Sequence, residues 1–135
     1  MDSTSRSYEP IPEKVEKTAS LVIDAAYAVH TGLGPGLLES VYEECLSYEL
    51  MKKGAIVECQ VMLPIFYDNI RLKSSLRIDL LVNQCLIVEI KSIEAILPVH
   101  VAQVLTYLKL SGCRLALLIN FNTTSLNNGV KRIIL

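Results

Sequence analysis

Apolar residues recur at helical spacing from residue 13 to about 31, at Val15, Ala19, Val22, Ala26 and Val29, which predicts an amphipathic helix with one buried stripe. Gly32, Gly34, Pro35 and Gly36 end it. A second helix is expected over about 37–53, with Leu38, Val41, Cys45 and Tyr48 on its apolar side. Lys52 and Lys53 complement its C-terminal dipole, and Gly54 caps it. The period then changes. Residues 55–68, AIVECQVMLPIFYD, are rich in β-branched and apolar residues and read as a strand. Pro64 has no N–H for a ladder and so marks an edge or a bulge. Asp68-Asn69 is a turn signal, and RLKSSLRIDLLV and LIVEIKSI are two further strands separated by Asn83-Gln84. Pro98 opens a helix that runs to about residue 111 and stops at Gly112. RLALLINFN has the unbroken apolar run of a central strand, and a polar loop and a short last strand follow.

The order ααβββαβ, with a short terminal element, is an antiparallel meander followed by a helical crossover. It predicts an α/β fold in which helices flank a mixed central sheet. Residues 1–11 are polar, contain Pro10, and are expected to form a flexible arm; residues 12–135 make one domain of ordinary size.

Composition narrows the function classes. The chain is 51% apolar, enough for a core, and its 13 basic and 14 acidic residues leave a net charge of -1. That balance gives no global footprint for nucleic acid and predicts weak non-specific affinity at physiological salt, while leaving room for a local basic cleft. Cys45, Cys59, Cys85 and Cys113 are dispersed, without the spacing of a zinc motif, and each sits among apolar residues. No stretch resembles the apolar region of a signal peptide or reaches the roughly 20 residues of a membrane span. The expectation is a cytoplasmic protein with no membrane association.

Asp79, Glu89 and Lys91 interrupt the most apolar part of this meander. Such groups are rarely buried unless paired or bound to metal. By strand alternation Glu89 and Lys91 share a face, with Val88 and Ile90 turned into the core; Arg77 and Asp79 share another, opposite Ile78 and Leu80. A two-residue turn at Asn83-Gln84 would set Asp79 against Val88, whereas a three-residue connection sets Asp79 against Glu89 and Arg77 against Lys91. A functional site therefore requires an odd connection or a bulge. Two facing carboxylates repel, and a divalent cation removes the conflict, with oxygen ligands favouring Mg²⁺ or Mn²⁺. Lys91 would then hold an attacking water or stabilise charge on a phosphate oxygen. The alternative is a solvated face bearing an Asp–Glu–Lys cluster. On the next helix His100, Gln103 and Tyr107 share one side, where Lys and Glu would be usual, and Val101, Val104, Leu105 and Leu108 form the apolar stripe.

Asp79, then Glu89-Ile90-Lys91 on the following strand, then Gln103-x-x-x-Tyr107 on a helix resembles the PD-(D/E)XK nuclease superfamily, and the last element is similar to that of its RecB-like QxxxY branch. GLLESVY, with Gly36, Glu39 and Tyr42, is similar to the signature of the GxxExxY family. LPIFYDNIRL, RIDLLV, VEIKSIE, PVHVAQVLTYLKLSG and LLINFN also resemble blocks of that family, so the resemblance covers nearly all of residues 13–135. It implies an αβββαβ core. It further implies that Asp79, Glu89 and the Ile90 carbonyl ligate a metal and that Lys91 is the catalytic lysine. Glu39 would be the N-terminal acidic residue that reaches the metal through water, while Gln103 orients the site and Tyr107 contacts substrate. Ile78 stands where the superfamily often has proline before Asp79.

The function so implied is Mg²⁺- or Mn²⁺-dependent hydrolysis of DNA phosphodiesters. Its alternative is a catalytically silent nuclease-fold module that binds or regulates with a partner; a structural protein with a polar interface is a third reading. So small a domain has little surface for a duplex, which leaves dimerisation or a partner protein to supply the grip. His100 is a substrate contact or a structural residue. Arg77, with Arg71, Lys73 and Lys109, is a source of local charge for phosphate or part of a solvated surface. His30, beside Thr31-Gly32, reads as a helix cap, and GLGPG, lacking the Lys-Ser/Thr ending of a phosphate loop, as a break that positions Glu39.

Overall fold

A computed structural model describes residues 9–135. Among them the order is α1 (Glu13–Leu33), α2 (Glu39–Lys52), β1 (Val57–Tyr67), β2 (Ile70–Val82), β3 (Leu86–Lys91), α3 (Pro98–Ser111), β4 (Leu115–Asn120), a 3-10 turn (Leu126–Gly129) and β5 (Val130–Ile134). The strands lie side by side in chain order. All neighbours are antiparallel except β3 and β4, whose parallel pairing requires the crossover that α3 provides. This is the expected α/β fold, a five-stranded mixed sheet flanked by helices and consistent with the αβββαβ core.

The sheet carries a core on each face. One joins Val15, Val22, Val29, Tyr42 and Leu46 of α1 and α2 to Leu80, Val88, Ile90 and Leu117; the other joins Val104, Tyr107 and Leu108 of α3 to Ile78, Ile87 and Leu118. Every residue of β4 is buried, as its apolar run requires. Pro64 combines both expected roles, since β1 is an edge strand and its register with β2 shifts between Pro64 and Phe66.

The stripe expected on α1 is buried in full, but that on α2 is not. Leu38 and Tyr48 are 73% and 61% exposed, and Tyr42, Leu46, Ser47 and Leu50 are buried instead. The buried face therefore lies well round the helix from the expected stripe, by more than one residue's turn of about 100°. Tyr42 sets that rotation through the contacts described below. Of the arm expected over 1–11, residues 1–8 lie outside the described residues; Ile11 packs against the α1–α2 core, and the Glu9 carbonyl accepts from Arg114 at 2.8 Å. His30 does not cap α1. Its Nε2–H donates to the Thr123 carbonyl at 2.7 Å, tying α1 to the loop after β4. Among the described residues no helix is long and apolar enough to cross a membrane.

Candidate active site

The connection between β2 and β3 has the expected odd count. Val82 pairs with Leu86, Leu81 with Ile87 and Leu80 with Val88, leaving residues 83–85 as the loop. Beyond Leu80 and Val88 the regular ladder stops and side chains take its place. The Asp79 N–H donates to Oε1 of Glu89 at 2.9 Å, and the Ile90 N–H donates to Oδ2 of Asp79 at 2.9 Å. Each carboxylate occupies the position of a backbone carbonyl on the facing strand. The two acids therefore meet in the seam between strands rather than on a sheet face, and the opposition of Arg77 and Lys91 expected from a continued ladder does not form.

The apolar neighbours record the same turn of the chain. Leu80 and Val82 belong to the core under α1 and α2, whereas Leu76 and Ile78 pack with the α3 core. Strict alternation puts Ile78 and Leu80 on one face; instead β2 rotates about Asp79. β1 rotates with it, with Val57 on the α1–α2 side and Val61 and Leu63 on the α3 side. Between them Gln60 has φ 55, in the left-handed region that non-glycine residues seldom enter. Pairing on both sides of this point, Cys59 with Leu80 and Val61 with Ile78, keeps one register.

Glu89 is 4% exposed. Burial is the largest cause pushing its pKa up to about 8, and the neighbouring Asp79 charge adds to it; the Asp79 N–H and Lys91 act the other way. Lys91 is half-buried and forms no direct ion pair among the described residues. A cation between the carboxylates would relieve the repulsion. A strand residue's N–H and C=O point to the same side, so the Ile90 carbonyl faces the seam with its N–H, while the Lys91 carbonyl on the other side accepts from Phe121 at 2.9 Å. Among the described residues no three His, Cys, Asp or Glu side chains form a set that could hold a metal. The available donors are two carboxylates and a backbone carbonyl. Such an open, all-oxygen set fits Mg²⁺ or Mn²⁺, since Mg²⁺ binds through one or two carboxylates and keeps several waters.

The start of α2 closes one side of the site. Gly34 and Gly36, with φ of 72 and 95, turn the chain between α1 and α2. The fully buried Tyr42 fixes that turn: its O–H donates to the Gly34 carbonyl at 2.6 Å and accepts from the Leu37 N–H at 3.1 Å, and its ring stacks on Phe121. Glu39 is thereby held at the first turn of α2, where Oε2 accepts from the Ser92 N–H at 3.4 Å, one residue beyond Lys91. The spacing of Gly36, Glu39 and Tyr42 thus has a local cause. The glycine permits the turn, the tyrosine closes it, and the glutamate between them faces the end of β3.

On α3, Tyr107 is buried rather than on a solvated side. Burial first, then the charges of Glu89 and Asp79, push its phenol up to about 12, and Gln103 one turn away opposes the shift. Gln103 itself is exposed. His100 is engaged elsewhere: its Nδ1 accepts from the Leu97 N–H at 2.8 Å while its own backbone N–H donates to the Leu97 carbonyl at 2.9 Å, a reciprocal cap of α3.

Two residues of the cluster escaped the sequence reading. Gln60 Nε2 donates to Glu43 Oε1 at 2.6 Å and lies 3.5 Å from Asp79 Oδ1, and its Oε1 accepts from Arg77 at 3.5 Å. Burial and then the Asp79 charge raise the Glu43 carboxyl. Glu43 stands one turn after Glu39 on α2, and Gln60 is a lone amide in an apolar strand; those were the available signals. The structure thus gathers Glu39, Asp79, Glu89, Lys91 and Tyr107, brings Arg77 in through Gln60, sets Gln103 beside Tyr107, and uses His100 at a helix start.

A mixed sheet with an acidic pair where its antiparallel meander opens, followed by Glu-x-Lys on the central strand, defines an α/β protein of nuclease type. The chain matches the PD-(D/E)XK nuclease superfamily over residues 16–133 and belongs to it. No curated protein and no solved structure matches the chain.

Proposed function

We propose that this protein is a divalent-metal-dependent nuclease that hydrolyses DNA phosphodiesters, with residues 12–135 as one nuclease domain. The observation that carries the reading is the seam itself, where Asp79 and Glu89 replace the β2–β3 ladder and the buried Glu89 is driven up to about 8. Asp79, Glu89 and the Ile90 carbonyl would hold Mg²⁺ or Mn²⁺. When bound, the cation polarises the phosphate and lowers the pKa of a coordinated water. Lys91 orients the attacking water and neutralises charge on a phosphate oxygen. Glu39 holds outer water at the α2 side, Gln103 and Tyr107 orient the site and substrate from α3, and Arg77 meets the phosphate backbone. His100, whose ring caps α3, would act only by holding that helix's first turn in place.

The turn closed by Tyr42 supports membership of the GxxExxY family, and Gln103 beside Tyr107 supports the QxxxY branch. Four free thiols fit a cytoplasmic setting, and a second copy or a partner protein would enlarge the grip on a duplex.

Calorimetry with Mg²⁺ and Mn²⁺, followed by cleavage of a DNA oligonucleotide, tests the reading. Wild type should bind metal and cleave, Asp79→Ala should lose both, and Lys91→Ala should bind metal without cleaving. Metal-dependent cleavage retained by both variants would remove this mechanism. Oligonucleotide binding with no product under either cation would identify the catalytically silent alternative.

A further inference from the structure

The paired strands β1 and β2 extend beyond the site as an arm whose distal residues are largely exposed. Between Asp68 at its tip and Asp79 at its base, β2 carries Arg71, Lys73 and Arg77 and no acid, while residues 59–67 of β1 carry no charge. The arm is therefore locally basic in a chain whose net charge is -1. Arg71, Lys73 and Arg77 form no ion pair among the described residues.

The cations lie along one arm, with Arg71 and Lys73 bordering one cavity and Arg77 closer to the site. Pro64 pairs with Ser75, Met62 with Arg77 and Phe66 with Arg71, and facing residues of an antiparallel pair lie on one face. Residues 71–75 all line one cavity of ≈ 440 Å³ with Met62 and Pro64, because the strand is irregular there, so Arg71 and Lys73 border the same space. Arg77 faces Met62 and Arg71 faces Phe66, four residues further along β1, so the two arginines lie about 13 Å apart along the arm, comparable with two steps between phosphates of a nucleic acid strand. This row runs straight into the seam, because Arg77 lies two residues before Asp79 and bonds Gln60, which also holds the acidic cluster. At the outer end Phe66, 57% exposed and paired with Arg71, offers a ring on which a base can stack.

We infer that the β1–β2 arm is a track for the nucleic acid backbone, on which Arg71 and Lys73 bind phosphates of the strand that enters the Asp79–Glu89 seam. The occupant is chosen by charge: unpaired cations along one arm beside apolar and aromatic side chains fit a polyanion with stacked bases. This inference rests on the nuclease reading for its direction into the seam.

The test is fluorescence anisotropy of a labelled DNA oligonucleotide in EDTA, where no cleavage interferes, over a range of salt. Each phosphate contact contributes about 0.7 to 0.9 to the slope of log K against log salt, so Arg71→Gln/Lys73→Gln should lower the slope by about 1.4 to 1.8 and weaken binding by about tenfold near 0.15 M salt. Lys14→Gln/Lys131→Gln, which removes the same charge elsewhere on the exposed surface, should change the slope much less. An unchanged slope in the arm variant, an equal loss in the control, or no binding by wild type overturns the inference. Metal binding lost in Asp79→Ala but intact in the arm variant would leave the nuclease reading standing if the arm fails. A slope change without metal binding in wild type would remove the nuclease reading while the arm still binds nucleic acid.

Discussion

Glu89→Gln isolates the electrostatic conflict at the centre of the site. Its amide oxygen can still accept from the Asp79 N–H, so the variant removes charge and titration while keeping the shape and the 2.9 Å hydrogen bond. In the folded wild type the Glu89 pKa is pushed from 4.5 to about 8. The folded state therefore holds a proton that the unfolded chain has released, and stability must fall as pH rises between those values. The contribution is complete below about 4.5, is lost progressively, and is gone above about 8. A shift of 3.5 units (8 minus 4.5) at about 1.36 kcal/mol per unit gives about 5 kcal/mol in all, of which about 4 kcal/mol falls between pH 5 and 9. The raised Glu43 adds to the decline with the same sign, whereas the lowered Glu16 acts in the opposite sense below the window. Urea denaturation in EDTA from pH 5 to 9 measures this directly. Wild type should lose most of that stability and Glu89→Gln should lose much less, and saturating Mg²⁺ should restore wild type at pH 8 but not the variant. A wild-type curve that is flat or rises with pH, or an equal decline in Glu89→Gln, would refute the reasoning.

Tyr42→Phe strands the Gly34 carbonyl and the Leu37 N–H, and should cost about 1–3 kcal/mol in denaturant unfolding. Gln60→Gly tolerates the positive φ but removes the amide that joins Glu43 to Asp79; Mg²⁺ affinity by calorimetry should fall about tenfold, as for other residues that orient metal ligands, with little change in the melting temperature. Gly129→Ala places a Cβ against the Asn120 carbonyl oxygen, a backbone atom that cannot turn aside, and should destabilise by at least about 1–3 kcal/mol in the same unfolding assay.

The elements were legible because the period of the apolar residues changes where the structure does, and glycines and prolines mark the ends. α1, α3 and the fully buried β4 follow from those signals alone. The face of α2 was not legible, because its apolar residues do not form a single stripe and its rotation is set by a phenol bonded to a turn in the preceding loop. The odd β2–β3 connection could be deduced from the demand that two carboxylates meet. Their place in the seam could not, since strand alternation has no way to express a residue whose side chain replaces a ladder carbonyl. Gln60 was hidden for a related reason: its left-handed backbone and its bond to Glu43 depend on a helix more than ten residues earlier.

The seam persists because separate cores hold its walls. On one face Leu80, Val88 and Ile90 are buried under α1 and α2; on the other Ile78 and Ile87 are buried with Val104, Tyr107 and Leu108 of α3. For Asp79 and Glu89 to move apart, β2 or β3 would have to leave side chains worth about 1.5–3 kcal/mol each when buried. Rotating β2 at Asp79 assigns Ile78 and Leu80 to different cores, so both faces grip the strand within two residues of the carboxylate. Repulsion between the acids is thus held in place by apolar packing, and proton uptake by Glu89 or a cation between the two can relieve it without moving the backbone.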